Sequence, residues 1–183
     1  MGEKLVTEKG LLSFSIVLSE VTTLRKLRTL AGHTRAVTAV AFGKNGRWLV
    51  SGSADKTIRL WEVDTGRPIR TLVDEMGVVA VALSPDGRWL ASASNENIKL
   101  WDVGTVSVVH VLKHDDAVNA LVFSADGRFL ASASDDEKAR IWEVDSGRLV
   151  AGPLKHDDWV TVVAFSPDGG LLASGSKDKT IKL

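Results

Sequence analysis

The 183-residue chain repeats itself at a step of 40 to 42 residues, so it must fold as a row of near-identical units that offer the same surfaces to their neighbours. Turn glycines set the step. Gly46, Gly87, Gly127 and Gly169 close the segments Phe42–Gly46, Leu83–Gly87, Phe123–Gly127 and Phe165–Gly169, at intervals of 41, 40 and 42. Trp61, Trp101 and Trp142 end the segments that begin at Ile58, Ile98 and Ala139, while Ile181-Lys182-Leu183 stops one residue short of a fourth. His33, His114 and His156 each stand nine residues before the residue that opens the turn, and Asp74 takes that place in the second unit.

Within a unit the local signals are β. Short apolar runs such as Val37–Phe42 and Ile58–Trp61 alternate with Asp-Gly, Asp-Lys-Thr and Thr-Gly turn clusters. The first unit reads as four antiparallel strands over residues 36–42, 47–53, 57–63 and 67–72. A lone sheet of this kind leaves two apolar faces bare, and stacking sheet on sheet covers both. That is the logic of an all-β β-propeller, with small residues such as Ala39 and Ala41 on the strand nearest the axis.

Gly32-His33, Phe42–Gly46, Ser51-Gly52-Ser53, Asp55-Lys56-Thr57 and Leu60-Trp61-Glu62, with their counterparts in register, resemble the WD-repeat family of β-propellers over residues 25–183. The resemblance implies about four blades of four antiparallel strands, three complete and partial ones at both ends, in units at 31–72, 73–112, 113–153 and 154–183. It implies a scaffold for protein or peptide partners, without cofactor and without chemistry of its own. In that family His, Ser, Asp and Trp form a buried hydrogen-bonded relay. The matching sets here are His33, Ser51, Asp55 and Trp61, then His114, Ser132, Asp136 and Trp142, then His156, Ser174 and Asp178. Asp74 and Asn95-Glu96-Asn97 depart from the pattern, so the second blade is expected to lack the relay and to tolerate change at Asp74.

Ser, His and Asp are also the parts of a hydrolase triad, and a serine hydrolase is the distant alternative. An enzyme needs one such site, whereas this set recurs from unit to unit, which argues for structure. A three-histidine metal site is disfavoured too, because His33, His114 and His156 occupy equivalent places on different blades. His110 falls outside the register and reads as a strand residue. No P-loop, nucleophile elbow, dinucleotide fingerprint or calcium-loop pattern occurs.

Composition removes further classes. With 23 Lys+Arg against 23 Asp+Glu the chain has no net charge to draw it to nucleic acid or an anionic membrane. With no cysteine it has no disulfide, thiol nucleophile or Cys-ligated metal. Leu11–Leu18 is too short and too interrupted for a signal or a span, and Glu3 and Glu8 precede it, so a soluble cytoplasmic protein is expected.

In the family that the chain resembles, partners bind mainly through loops at one rim. The corresponding residues are Arg35, Asp74, Glu75, Asp115, Asp116, Asp135, Asp157, Asp158, Trp159 and Lys177, a mildly acidic set suited to a basic peptide. Trp159 stands out, because its counterparts are Ala36, Gly77 and Ala117. A large aromatic at such a place is an anchor for a ligand peptide or packs on its own blade.

Shifted by 42 residues, Ile16–Leu30 falls on Ile58–Leu72, so residues 1–24 read as a remnant strand of a preceding blade. Residues 24–30 could then supply the outer strand that the last unit lacks. Three assemblies follow: a piece of a larger ring, a strand-exchanged homodimer acting as a self-assembly module, or a closed four-bladed monomer.

Overall fold

Alternation of side chains across a strand gives every strand of a stacked sheet one face for each neighbouring sheet. The computed structural model describes residues 3–10, 13–150 and 152–183, and among these every regular element is a strand. Strands β1 (Glu3–Gly10), β2 (Ser13–Glu20) and β3 (Lys26–His33) form the first sheet. The second holds β4 (Val37–Phe42), β5 (Trp48–Ser53), β6 (Thr57–Glu62) and β7 (Pro68–Val73). The third holds β8 (Ala80–Leu83), β9 (Trp89–Ser94), β10 (Asn97–Asp102) and β11 (Ser107–Lys113). The fourth holds β12 (Val118–Phe123), β13 (Phe129–Ser134), β14 (Lys138–Glu143) and β15 (Leu154–Lys155), and the fifth β16 (Val160–Phe165), β17 (Leu172–Ser176) and β18 (Ile181–Lys182). Each sheet is an antiparallel meander in chain order, and the strands of the second sheet lie within one residue of the expected bounds. The hairpins between first and second strands turn on Gly46, Gly87, Gly127 and Gly169 at φ of 68° to 75°, a left-handed backbone that glycine adopts without a Cβ clash.

The core lies between sheets. Ile16, Leu18 and Leu30 meet Leu49, Trp61 and Val63 in the first gap, and Val50, Ile58 and Leu60 meet Val81, Leu83 and Leu90 in the second. Leu100 and Leu112 meet Val118, Leu130 and Trp142 in the third, and Ala131 and Ala139 meet Val160, Val163 and Leu172 in the fourth. First strands touch from sheet to sheet, β4 to β8 to β12 to β16, and line the inner side of an open arc. Among the described residues, none covers the far face of the fifth sheet. Ile181 is 76% exposed at the register place where Ile58 and Ile98 are fully buried.

Two expectations are corrected. β3 does not complete the fifth sheet: it pairs with β2, from Phe14 opposite His33 to Ser19 opposite Lys26. Nor is the segment before it a single remnant strand, since β1 and β2 pair along their whole length. β2 and β3 are joined by a short hairpin in which Leu24 N–H donates to Glu20 O at 2.8 Å, so their pairing closes only a small loop. Leu30 on β3 is buried against the second sheet, which holds the strand there.

Candidate functional site

The relay is present in the second sheet. Trp61 Nε1 donates to Ser51 Oγ at 2.8 Å, Ser51 Oγ lies 2.7 Å from His33 Nε2, and His33 Nδ1 lies 2.9 Å from Asp55 Oδ2. The Asp55 carboxylate only accepts, so the neutral His33 ring carries its proton on Nδ1 and its Nε2 accepts from the Ser51 hydroxyl. The fourth sheet repeats the chain at 2.9, 2.7 and 3.0 Å through Trp142, Ser132, His114 and Asp136. The fifth repeats it through Ser174, His156 and Asp178, at 2.9 Å for both links. Each Asp also ties down the rim: Asp55 accepts from the Thr34 amide at 2.8 Å, Asp136 from Asp115 and Asp178 from Asp157, both at 3.1 Å.

These links set the protonation states. Burial pushes the His114 imidazole down to about 4, against the pull of the Asp136 charge. Burial lowers His33 as well, opposed by its hydrogen bond to Asp55. Burial alone would raise the aspartates, but donors outweigh it: the Thr57 hydroxyl, the Thr34 amide and His33 hold Asp55 well below the carboxylate range, and the Asp115 amide with Arg140 and His114 brings Asp136 to about 2. The distances match those of a hydrolase triad, yet Ser51 and Ser132 have no solvent-exposed surface. Each hydroxyl is enclosed between its indole and its imidazole, where no substrate carbonyl can reach it.

The third sheet solves the same place differently. Trp101 still donates to Ser92 at 2.9 Å, but Asp74 receives Lys99 Nζ at 2.7 Å and the Glu75 amide at 2.7 Å. Asp74 is therefore buried and not a rim residue, which corrects its placement. This environment argues against the expected tolerance to change, because removing the carboxylate strands a largely buried ammonium. In the fourth sheet the Arg140 guanidinium sits against both His114 and Asp136 and reaches Asp115 at 3.1 Å. Sequence reasoning missed these cations, although Arg59, Lys99, Arg140 and Lys182 recur at one register place and carried the signal.

Of the other rim residues, Arg35, Glu75, Asp115, Asp116, Asp157, Trp159 and Lys177 are exposed, and Asp135 and Asp158 are half-buried. Asp115 is neutralised by Lys138 at 2.8 Å and by Arg140, and Asp135 accepts from Asn119 at 2.7 Å. Asp116, Asp157 and Asp158 form no ion pair among the described residues. Trp159 is 43% exposed, and Lys177 Nζ rests 3.7 Å from its ring centroid. A cavity of about 220 Å³ opens on the rim between the third and fourth sheets, lined by Met76, Val79, Asn95, Ala117 and Asn119 among others.

The WD domain, G-beta repeat family matches residues 24–62, 66–102, 106–143 and 148–183. The chain belongs to the WD-repeat family. Each WD repeat so matched begins on the outer strand of one sheet and ends on the third strand of the next, as 24–62 takes in β3 and then β4 to β6. Consecutive sheets are thus locked by chain continuity as well as by their cores. The U3 small nucleolar RNA-associated protein 21 of Saccharomyces cerevisiae is 41% identical over 78 residues, 43% of this chain and 8% of that protein. A ribosome biogenesis protein BOP1 homolog of Monosiga brevicollis is 47% identical over 55 residues, 30% of this chain and 7% of that protein. An uncharacterized WD repeat-containing protein of Synechocystis is 45% identical over 64 residues, 34% of this chain and 18% of that protein. The chain spans less than a fifth of the length of these relatives.

Proposed function

We propose that this WD-repeat chain is a non-enzymatic interaction scaffold that binds a protein or peptide carrying basic groups through its rim loops, with Trp159 as the anchor. One observation carries the reading: Trp159 lies exposed where other sheets have Ala36, Gly77 and Ala117, and its ring face already holds an ammonium, that of Lys177. A ligand lysine or arginine takes the place of Lys177 on the ring, and Asp157 and Asp158, next to Trp159 in its loop, supply unpaired negative charge beside it. Relatives named for a small nucleolar RNA and for ribosome biogenesis match over short shares only and support the interaction role without supplying a partner. The test is selection from a random peptide library on the intact chain and on Trp159→Ala with Asp158→Lys. Basic peptides should be enriched on the former and lost on the latter; equal enrichment on both would sink the proposal.

A further inference from the structure

The third sheet leaves two buried polar groups half-served. In the second and fourth sheets the relay serine accepts from its tryptophan and gives its own proton to histidine Nε2, so both of its bonding directions are used. Ser92 of β9 has only the first of these bonds. Trp101 Nε1 donates to its Oγ at 2.9 Å, and among the described residues no acceptor takes its proton. The facing carboxylate is equally incomplete. Asp74 turns Oδ1 to Lys99, to the Glu75 amide and, at 3.3 Å, to the Ser94 hydroxyl, while Oδ2 is buried and meets no donor among the described residues. Neither group can turn to solvent, because Ser92 and the Asp74 side chain have no exposed surface.

In the fourth sheet an imidazole fills the corresponding space. His114 stands at the register place of Asp74 and spans from Ser132, at Nε2, to Asp136, at Nδ1. A carboxylate at that place ends one bond nearer its own backbone than Nε2 does. The turn aspartate has no counterpart in Asn95-Glu96-Asn97, and Asp74 Oδ1 does its work, holding the Glu75 amide as Asp136 holds that of Asp115. Only the Nε2 side lacks a substitute. A spare donor and a spare acceptor, buried across the space that a ring edge fills in the fourth sheet, are the conditions under which an internal water is retained.

We propose that the third sheet binds one water molecule between Ser92 Oγ and Asp74 Oδ2, where it stands in for the imidazole. The water accepts the serine proton and donates to the carboxylate, which gives this sheet a continuous relay through Trp101, Ser92, water, Asp74 and Lys99. The blade that departs from the pattern in sequence thereby keeps its connectivity. The site takes a water and not a cation, because the Lys99 ammonium, 2.7 Å away, already answers the Asp74 charge. It takes a single molecule, because an aspartate in a histidine-sized place leaves room for about one water, whose share of volume is roughly 30 Å³.

A crystal structure of the intact chain, at a resolution that shows ordered water, tests the site directly. One water should lie within hydrogen-bonding distance of both Ser92 Oγ and Asp74 Oδ2, with none inserted between Ser51 and His33 or between Ser132 and His114. A Ser92 hydroxyl bonded straight to Asp74 or to a main-chain carbonyl, a metal ion in the place, or no density there would overturn the proposal. Magnetic relaxation dispersion of the water oxygen, which counts long-lived internal waters, tests it in solution. Asp74→His carries Nε2 into the place and Asp74→Glu extends the carboxylate by one bond, so each should lose one such water relative to the wild type. An equal count in the wild type and in whichever variant keeps the wild-type circular dichroism would overturn it; should neither variant fold, the crystal structure decides.

Discussion

Asp74 and His114 occupy the same register place and show that one position can be satisfied by two chemistries. His114 joins Ser132 to Asp136 through a neutral ring, whereas Asp74 joins Lys99 to the rim backbone as a buried ion pair. Both should therefore be sensitive. His114→Ala and Asp74→Ala are each expected to destabilise by about 1–3 kcal/mol, because each leaves buried partners unsatisfied, and urea midpoints read the loss. The relay also fixes the response to acid. The folded His114 titrates near 4 against 6.5 when unfolded, so the unfolded chain takes up its proton first, and stability is lost as pH falls from 6.5 toward 4. Asp136, at about 2 when folded against 3.8, adds a second loss between those values. Melting temperature should be flat above pH 7 and fall in two stages below it; a melting temperature that rises between pH 6.5 and 4 would contradict these assignments.

At the scale of elements, packing between sheets sets what each strand tolerates. A Cβ on Gly52 of β5 would stand 2.6 Å from Val78 Cγ1 and 2.9 Å from Val81 Cγ1, both on the neighbouring unit. Gly52→Ala should therefore cost about 1–3 kcal/mol by overpacking, measured as a lowered urea midpoint with unchanged slope. The strands of the repeated units were legible because turn clusters such as Asp-Gly, Asp-Lys-Thr and Thr-Gly separate their apolar runs. The pairing of β3 was not, since Ile181–Lys182 and Ser13–Glu20 offer it similar hydrogen bonds and the choice rests on loop length and on the burial of Leu30. Three relay chains were legible through the family resemblance, and the Lys99 and Arg140 contacts were not, because a strand lysine or arginine reads as a solvated charge until a buried carboxylate is placed beside it.

At the scale of the whole molecule, stacking turns loops distant in sequence into one rim, and that is where this chain differs from a bare repeat. Relay aspartates accept backbone amides from the segment after each histidine, so the buried chains hold the loops that carry the exposed groups. Trp159 and Lys177 come from two such loops of the fifth sheet, joined by the Lys177 amide donating to Trp159 O at 2.9 Å. On the proposed reading, Lys177 competes on the ring with a ligand cation. The most direct test is the affinity of a selected basic peptide for the wild type and for Lys177→Ala. Removing the competing ammonium should tighten binding by about two- to fivefold, the worth of an exposed cation–π contact. Unchanged or weaker binding by Lys177→Ala would contradict the assignment of Trp159 as the seat of a basic partner.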